Sequence, residues 1–272
     1  TFLDNINQES YHHGELLVIK PQGSWQQFTA QQLQKTNRQL VTSTADMTLV
    51  ISGAINSRDL KPILEKWLAS LPASDQKLKS RDQGIMPKMA SFNKTYPISS
   101  SDKSMVSIQF ASPAMWSQQD QLAIQLIDTI VSQRLRGELR EKASGIYALG
   151  FSQMLAKKPQ PYYLARLNFT TSPERAEEMT QIAQKTIGQI RQTGVSEKEL
   201  TEAKNIWLTE NAQVTDSSSY WTEALAQIAA DDGQYQRLNQ QQSIIHQLTV
   251  KDINRLSRQY LGQNSKVFMM TP

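Results

Sequence analysis

Metal binding and proton transfer fall most readily to histidine, and this chain of 272 residues has three: His12, His13 and His246. Adjacent residues point ~100° apart on a helix and to opposite faces of a strand. His12 and His13 therefore make a poor zinc pair, which only a loop could bring together, and they read as solvated loop histidines. His246 falls in a polar helical stretch. The chain has no cysteine, which excludes disulfides, thiolate ligands and thiol catalysis. It carries no His-x-x-Glu-His, His-Glu-x-x-His, Gly-x-Ser-x-Gly, phosphate loop or Gly-x-Gly-x-x-Gly. What remains is Arg140 and Tyr147, at either side of Glu141-Lys142-Ala143-Ser144-Gly145-Ile146. By chemistry alone, Arg140 complements the negative end of the helix it helps to close, worth ~0.3–1 kcal/mol. Tyr147 packs on a neighbour as a strand aromatic.

The elements around this segment follow from pattern. Gln118 to Glu141 reads as the strongest helix, with a stripe of Leu122, Leu126, Ile127, Ile130, Val131, Leu135 and Leu139. Before it, Val106, Ile108 and Phe110 alternate with Ser107 and Gln109, a half-buried strand. After it, Gly145 to Gln153 and Tyr162 to Thr170 read as a hairpin around Lys157-Lys158-Pro159-Gln160-Pro161. Ser172-Pro173-Glu174 starts a helix that ends at Gly194, and Ser196 with Glu199 forms a capping box for the next. Two more helices follow, the last begun by Thr249-Val250-Lys251-Asp252, and Lys266 to Met270 closes as a strand. Nearer the start, Thr29 and Gln32 cap a polar helix to about Leu40. Met47 to Ile51 reads as a buried strand. Ser57 caps a helix bearing Leu60, Ile63, Leu64, Trp67, Leu68 and Leu71, stopped by Pro72. The sum is α+β, a largely antiparallel sheet with helices packed on one face.

Composition bounds the function. Hydrophobic residues make up 39% and charged residues 20%, as in a globular protein. The net charge of +4, from 29 basic and 25 acidic residues, is too balanced to indicate nucleic acid. Lys77, Lys79 and Arg81 form the densest basic cluster and sit in a solvated linker. No apolar run reaches the ~18 residues of a membrane span, and no signal peptide opens the chain. Thr1, in place of an initiator methionine, is expected of a processed fragment.

Leu139-Arg140-Glu141-Lys142-Ala143-Ser144-Gly145-Ile146-Tyr147 resembles the Leu-Arg-Glu-Lys-x-Gly-x-x-Tyr segment of the pitrilysin/insulysin family of zinc metallopeptidases. Residues 47–72, 108–130, 170–179, 194–208, 248–261 and 267–272 resemble successive pieces of that family's domains, in order. The resemblance implies a pitrilysin/mitochondrial-processing-peptidase-like fold. Residues 1–75 would be the end portion of one such domain, 76–91 a linker, and 92–272 a complete C-terminal domain. The first 22 residues match nothing in the family.

The resemblance also implies a role. In the family this segment lies in the half without the metal and faces the half that holds it. Arg140 would bind substrate backbone carbonyls, and Tyr147 would donate its hydroxyl to the oxyanion of the tetrahedral intermediate. Ala143-Ser144 stands where one residue before the glycine is usual, which shifts Gly145 within the interval. The chain would be the C-terminal, non-metal-binding part of a zinc endopeptidase. It would close the chamber and bind peptide or unfolded protein, with zinc in the full-length enzyme and none bound by this chain. Its partner would be the N-terminal metal-bearing half, and its compartment the periplasm. Two other readings stand beside this one: a catalytically silent scaffold subunit of the same fold, and a stand-alone module lending a sheet edge to extended peptides.

Overall fold

Polar caps and apolar stripes set the elements of the computed structural model, which describes residues 1–18, 24–40, 44–45, 47–71 and 81–272. Thr1 and Asp4 close a capping box ahead of α1 (Phe2–Ser10). Thr29 and Gln32 exchange bonds of 2.8 and 3.2 Å ahead of α2 (Ala30–Leu40). Next come α3 (Ser57–Trp67), β1 (Phe92–Pro97), β2 (Ser104–Pro113) and α4 (Gln118–Arg136). A wide π turn over Gly137–Lys142 prolongs α4. The hairpin β3 (Ala148–Ala156) and β4 (Tyr162–Thr171) follows. Then come α5 (Ala176–Thr193), α6 (Glu197–Val214), α7 (Ser218–Asp231), α8 (Gln236–Gln247), α9 (Val250–Tyr260) and β5 (Lys266–Thr271). Gly194 ends α5 at a φ of +81°, where a Cβ would meet the Asn254 side chain at 2.6 Å.

The described residues form two compact units. The first contains residues 1–18, 82–209 and 240–272 and is built on a five-stranded sheet of order β1-β5-β2-β4-β3. Only the β1–β5 pair is parallel. One sheet face carries the main core, where Val106, Ile108 and Phe110 meet Leu122, Leu126, Ile127 and Ile130 of α4, Ile187 of α5 and Ile253 of α9. This is the expected α+β sheet, with α4, α5 and α9 packed on this face.

The opposite face is not left to solvent. Phe2 and Ile6 of α1 pack on Phe268, Phe92 and Tyr96. Tyr11 packs on Ala111 and Leu164. Residues 86–88 run alongside, with the His12 amide donating to Met86 at 2.9 Å and the Lys88 amide to Ser10 at 2.7 Å. The expectation of a half-buried β2 is therefore corrected. Ser107 and Gln109 are as buried as the apolar residues between them, because β2 is the middle strand and the N-terminal residues cover its second face. β1 escaped the pattern reading because Phe92 and Tyr96 are four apart with polar residues between, on an edge strand.

The second unit contains residues 19–81 and 210–239. Here Met47 to Ile51 is not a strand, and Met47, Leu49 and Ile51 are exposed. A strand needs a neighbour to take its amide and carbonyl groups, and no described residue pairs with this segment. Asn56, not Ser57, caps α3 by accepting from the Arg58 amide at 3.0 Å. The single helix expected ahead of Thr249 is instead two, because Asp232 and Gly233, with a φ of +71°, break the path between α7 and α8. Pro72, Lys77, Lys79 and residues 76–80 of the expected linker lie outside the described residues.

Candidate functional site

Arg140 and Tyr147 sit on the connector between α4 and β3, and that connector is pinned at nearly every residue. Leu139 is fully buried and anchors the π turn in the core. A π turn takes up an inserted residue without breaking its helix, which suits the additional residue before Gly145. The amides of Ala143, Ser144 and Gly145 donate to the carbonyls of Glu138, Arg140 and Leu139 at 3.0–3.1 Å. Ser144 takes a left-handed φ of 49° to make the corner. Gly145 is required by close approach, since a Cβ there would lie 2.1 Å from Met179 Sδ. The Thr171 hydroxyl donates to the Gly145 carbonyl at 2.5 Å, and Arg175 Nη1 donates to the Ala143 carbonyl at 3.0 Å. The Tyr147 amide then donates to Thr170 at 2.9 Å and leads into β3.

This rigid backbone presents both side chains outward. Tyr147 is 61% exposed and precedes the strand, so it is not the packed strand aromatic that chemistry alone predicts. Its ring lies under the Lys103 ammonium, 4.6 Å from nitrogen to centroid. Arg140 is exposed, and among the described residues no acceptor engages its guanidinium. Lys142, by contrast, pairs with Glu138 at 2.6 Å. Lys103 escaped the sequence reading, because no local pattern links a loop lysine before β2 to a tyrosine before β3.

Arginine and the tyrosine hydroxyl are donors. They can bind and polarise carbonyl oxygens. Neither supplies the base that would activate water. The histidines do not make up the difference. His13 Nδ1 lies 3.5 Å from Glu15 on the surface, and His246 is exposed on α8. Among the described residues no three histidine, aspartate or glutamate side chains come together to hold a metal.

Two carboxylates behind the connector are strongly perturbed. Asp128 of α4 accepts from the Gln153 amide of β3, yet burial pushes its carboxyl up to about 6. Nearby, Tyr163 donates to Gln153 Oε1 at 2.7 Å and Gln153 Nε2 donates to the Ile124 carbonyl at 2.9 Å. Glu199 is held down to about 2, first by Arg134 and then by Ser196. These groups couple α4 to β3 and to α6, and they fix the frame from which Arg140 and Tyr147 project.

The profile described as the peptidase M16 inactive domain matches residues 27–206. A curated relative, "Probable zinc protease PqqL" of Escherichia coli strain K12, is 26% identical over 247 residues, covering 87% of this chain and 25% of that protein. The crystal structure of the periplasmic protease PqqL from Escherichia coli shares the fold with a TM-score of 0.84 at 22% identity, covering 100% of this chain and 30% of that one. A peptidase M16 inactive domain from Pseudomonas fluorescens gives 0.78 at 18% identity, covering 100% of this chain and 65% of that one. The chain thus spans about a quarter of the length of the curated relative it matches.

Proposed function

From the premise that this chain belongs to the family of peptidase M16 inactive domains, we propose that it is the non-metal-bearing C-terminal part of a periplasmic zinc endopeptidase. In this reading it closes the chamber and holds an extended peptide beside the metal-bearing half. Zinc and the water-activating base come from that half.

The observation that carries this reading is the presentation of Arg140 and Tyr147. Their connector is fixed by four backbone–backbone hydrogen bonds, two side-chain donors to its carbonyls and a forced glycine, while both side chains face solvent with donors unspent. A residue whose only work is packing would be buried. The Lys103 ammonium adds positive potential beside the Tyr147 ring, which favours an oxygen carrying developing negative charge. β3, which begins one residue after Tyr147, ends the sheet order. A sheet edge offers backbone groups to an extended peptide. The names of the relatives, a probable zinc protease and a periplasmic protease, support the metal and the compartment. No helix among the described residues is long and apolar enough to cross a membrane.

A labelled unfolded peptide titrated against this chain, followed by fluorescence anisotropy, tests the binding role. Binding should weaken about 10-fold or more in Arg140→Ala, since a hydrogen bond to a charged group contributes roughly 1.5–3 kcal/mol. Equal affinity in the variant would sink the assignment. Absence of His-x-x-Glu-His from the rest of the polypeptide would turn the reading toward a scaffold.

A further inference from the structure

The second face of the sheet, beneath residues 1–18, holds a row of long polar side chains that the peptidase reading does not use. The strand register sets Lys266 of β5 opposite Gln109 of β2, and Gln109 opposite Arg166 of β4. Directly opposed residues project to the same face, and neighbouring strands are ~4.8 Å apart. The three side chains therefore form one row across β5, β2 and β4 on that face. Lys266 is fully buried and Gln109 is 1% exposed. Among the described residues Lys266 Nζ, Gln109 Oε1 and Arg166 Nε have no hydrogen-bond partner.

Charge makes the row unusual. Arg166 Nη2 donates to the Tyr11 hydroxyl at 2.6 Å, a neutral acceptor. Lys88 lies near enough to repel Lys266, and its own ammonium reaches only the Gln8 carbonyl at 3.4 Å. Of the two acids of α1, Asp4 closes the capping box with Thr1 and Glu9 is taken by Lys94 at 2.5 Å. Among the described residues no carboxylate pairs with Lys266, Arg166 or Lys88. Burial, and then Lys88, push the Lys266 amine down to about 8, so it stays mostly charged at neutral pH. A buried cation such as Lys266 demands a counter-charge, and a neutral water satisfies hydrogen bonds without supplying one. Gln109 can turn its amide to present its NH₂ in place of the carbonyl.

We propose that Lys266, Gln109 and Arg166 bind one small inorganic anion, a halide or phosphate, enclosed between the sheet and residues 1–18. The anion ties the segment down, because Arg166 holds both it and Tyr11.

Thermal melts of this chain at constant ionic strength, exchanging sodium gluconate for sodium chloride and separately for sodium phosphate, test the site. Gluconate, a bulky organic anion, serves as the reference. The Tm should rise saturably with chloride or phosphate, by about 5 °C at saturation, and Lys266→Met should abolish the rise. The arm that responds identifies the anion. Should Lys266→Met fail to fold, Arg166→Gln serves, together with anomalous scattering from bromide in crystals of the unaltered chain. Equal Tm in all three salts, a rise that survives both substitutions, or ordered water without bromide at the row overturns the proposal.

Discussion

Tyr147 allows its ring to be separated from its hydroxyl. Tyr147→Phe keeps the face beneath Lys103 and removes only the donor. If the hydroxyl stabilises the oxyanion, turnover of the complete enzyme on a peptide falls by ~10²-fold or more. Stability should change by less than ~1.5 kcal/mol, because an exposed hydroxyl leaves no buried partner unpaired. Steady-state kinetics with parallel melts decide this, and an unchanged kcat would reduce the chain to a binding wall. Arg140→Ala acts differently. A cation that grips backbone carbonyls contributes to ground state and transition state alike, so KM rises while kcat holds. At this scale the pair was legible because its spacing is local. Lys103 was not, since its approach to Tyr147 is made by the ladder joining β2, β4 and β3.

Between elements, the two perturbed carboxylates bend the stability curve in opposite senses. Glu199 of α6 accepts from Arg134 of α4 at 2.6 and 2.9 Å and from the Ser196 amide at 2.8 Å. Its folded value of about 2 lies below the ordinary 4.5. The stabilisation is therefore present above pH 4.5 and lost as pH falls through about 2. Glu199→Gln should lose up to about 3 kcal/mol at pH 7 and flatten that acid limb, as read by urea melts. Asp128 has the other sign. Its folded value of about 6 exceeds the ordinary 3.8, so the folded state takes up its proton first and gains stability as pH falls from about 6 toward 3.8. Asp128→Asn keeps an acceptor for the Gln153 amide and removes the buried charge. It should be more stable than the parent at pH 7, by up to about 3 kcal/mol, and should show no gain between pH 7 and 5. A parent that merely loses stability over that range would refute the burial argument. The capping boxes at Thr29, Ser196 and Thr249 stand where the sequence set them, because a cap is a contact across three residues.

At the scale of the whole chain, residues 1–18 are part of the first unit. Deleting residues 1–13 would uncover Phe268, Ala111 and Leu164 and lose the burial of Phe2, Ile6 and Tyr11. At roughly 1.5–3 kcal/mol for each large side chain, the loss should be about 5 kcal/mol. Urea melts should show it, accompanied by binding of a hydrophobic dye. An unaltered midpoint would show the segment to be dispensable.

The sequence by itself determined the α+β class, the α4 stripe, the β3–β4 hairpin, the caps at Thr29, Ser196 and Thr249 and the Arg140–Tyr147 interval. Each rests on neighbours within a few residues, where periodicity and capping chemistry act directly. Only the tertiary structure decided that Ser107 and Gln109 are buried, since their cover comes from residues nearly a hundred positions earlier. It likewise decided that Met47 to Ile51 forms no strand, because pairing requires a partner that periodicity cannot supply. Lys266 reads in sequence as the polar start of a terminal strand. It becomes a buried cation only when β5 inserts between β1 and β2 and α1 closes over the sheet.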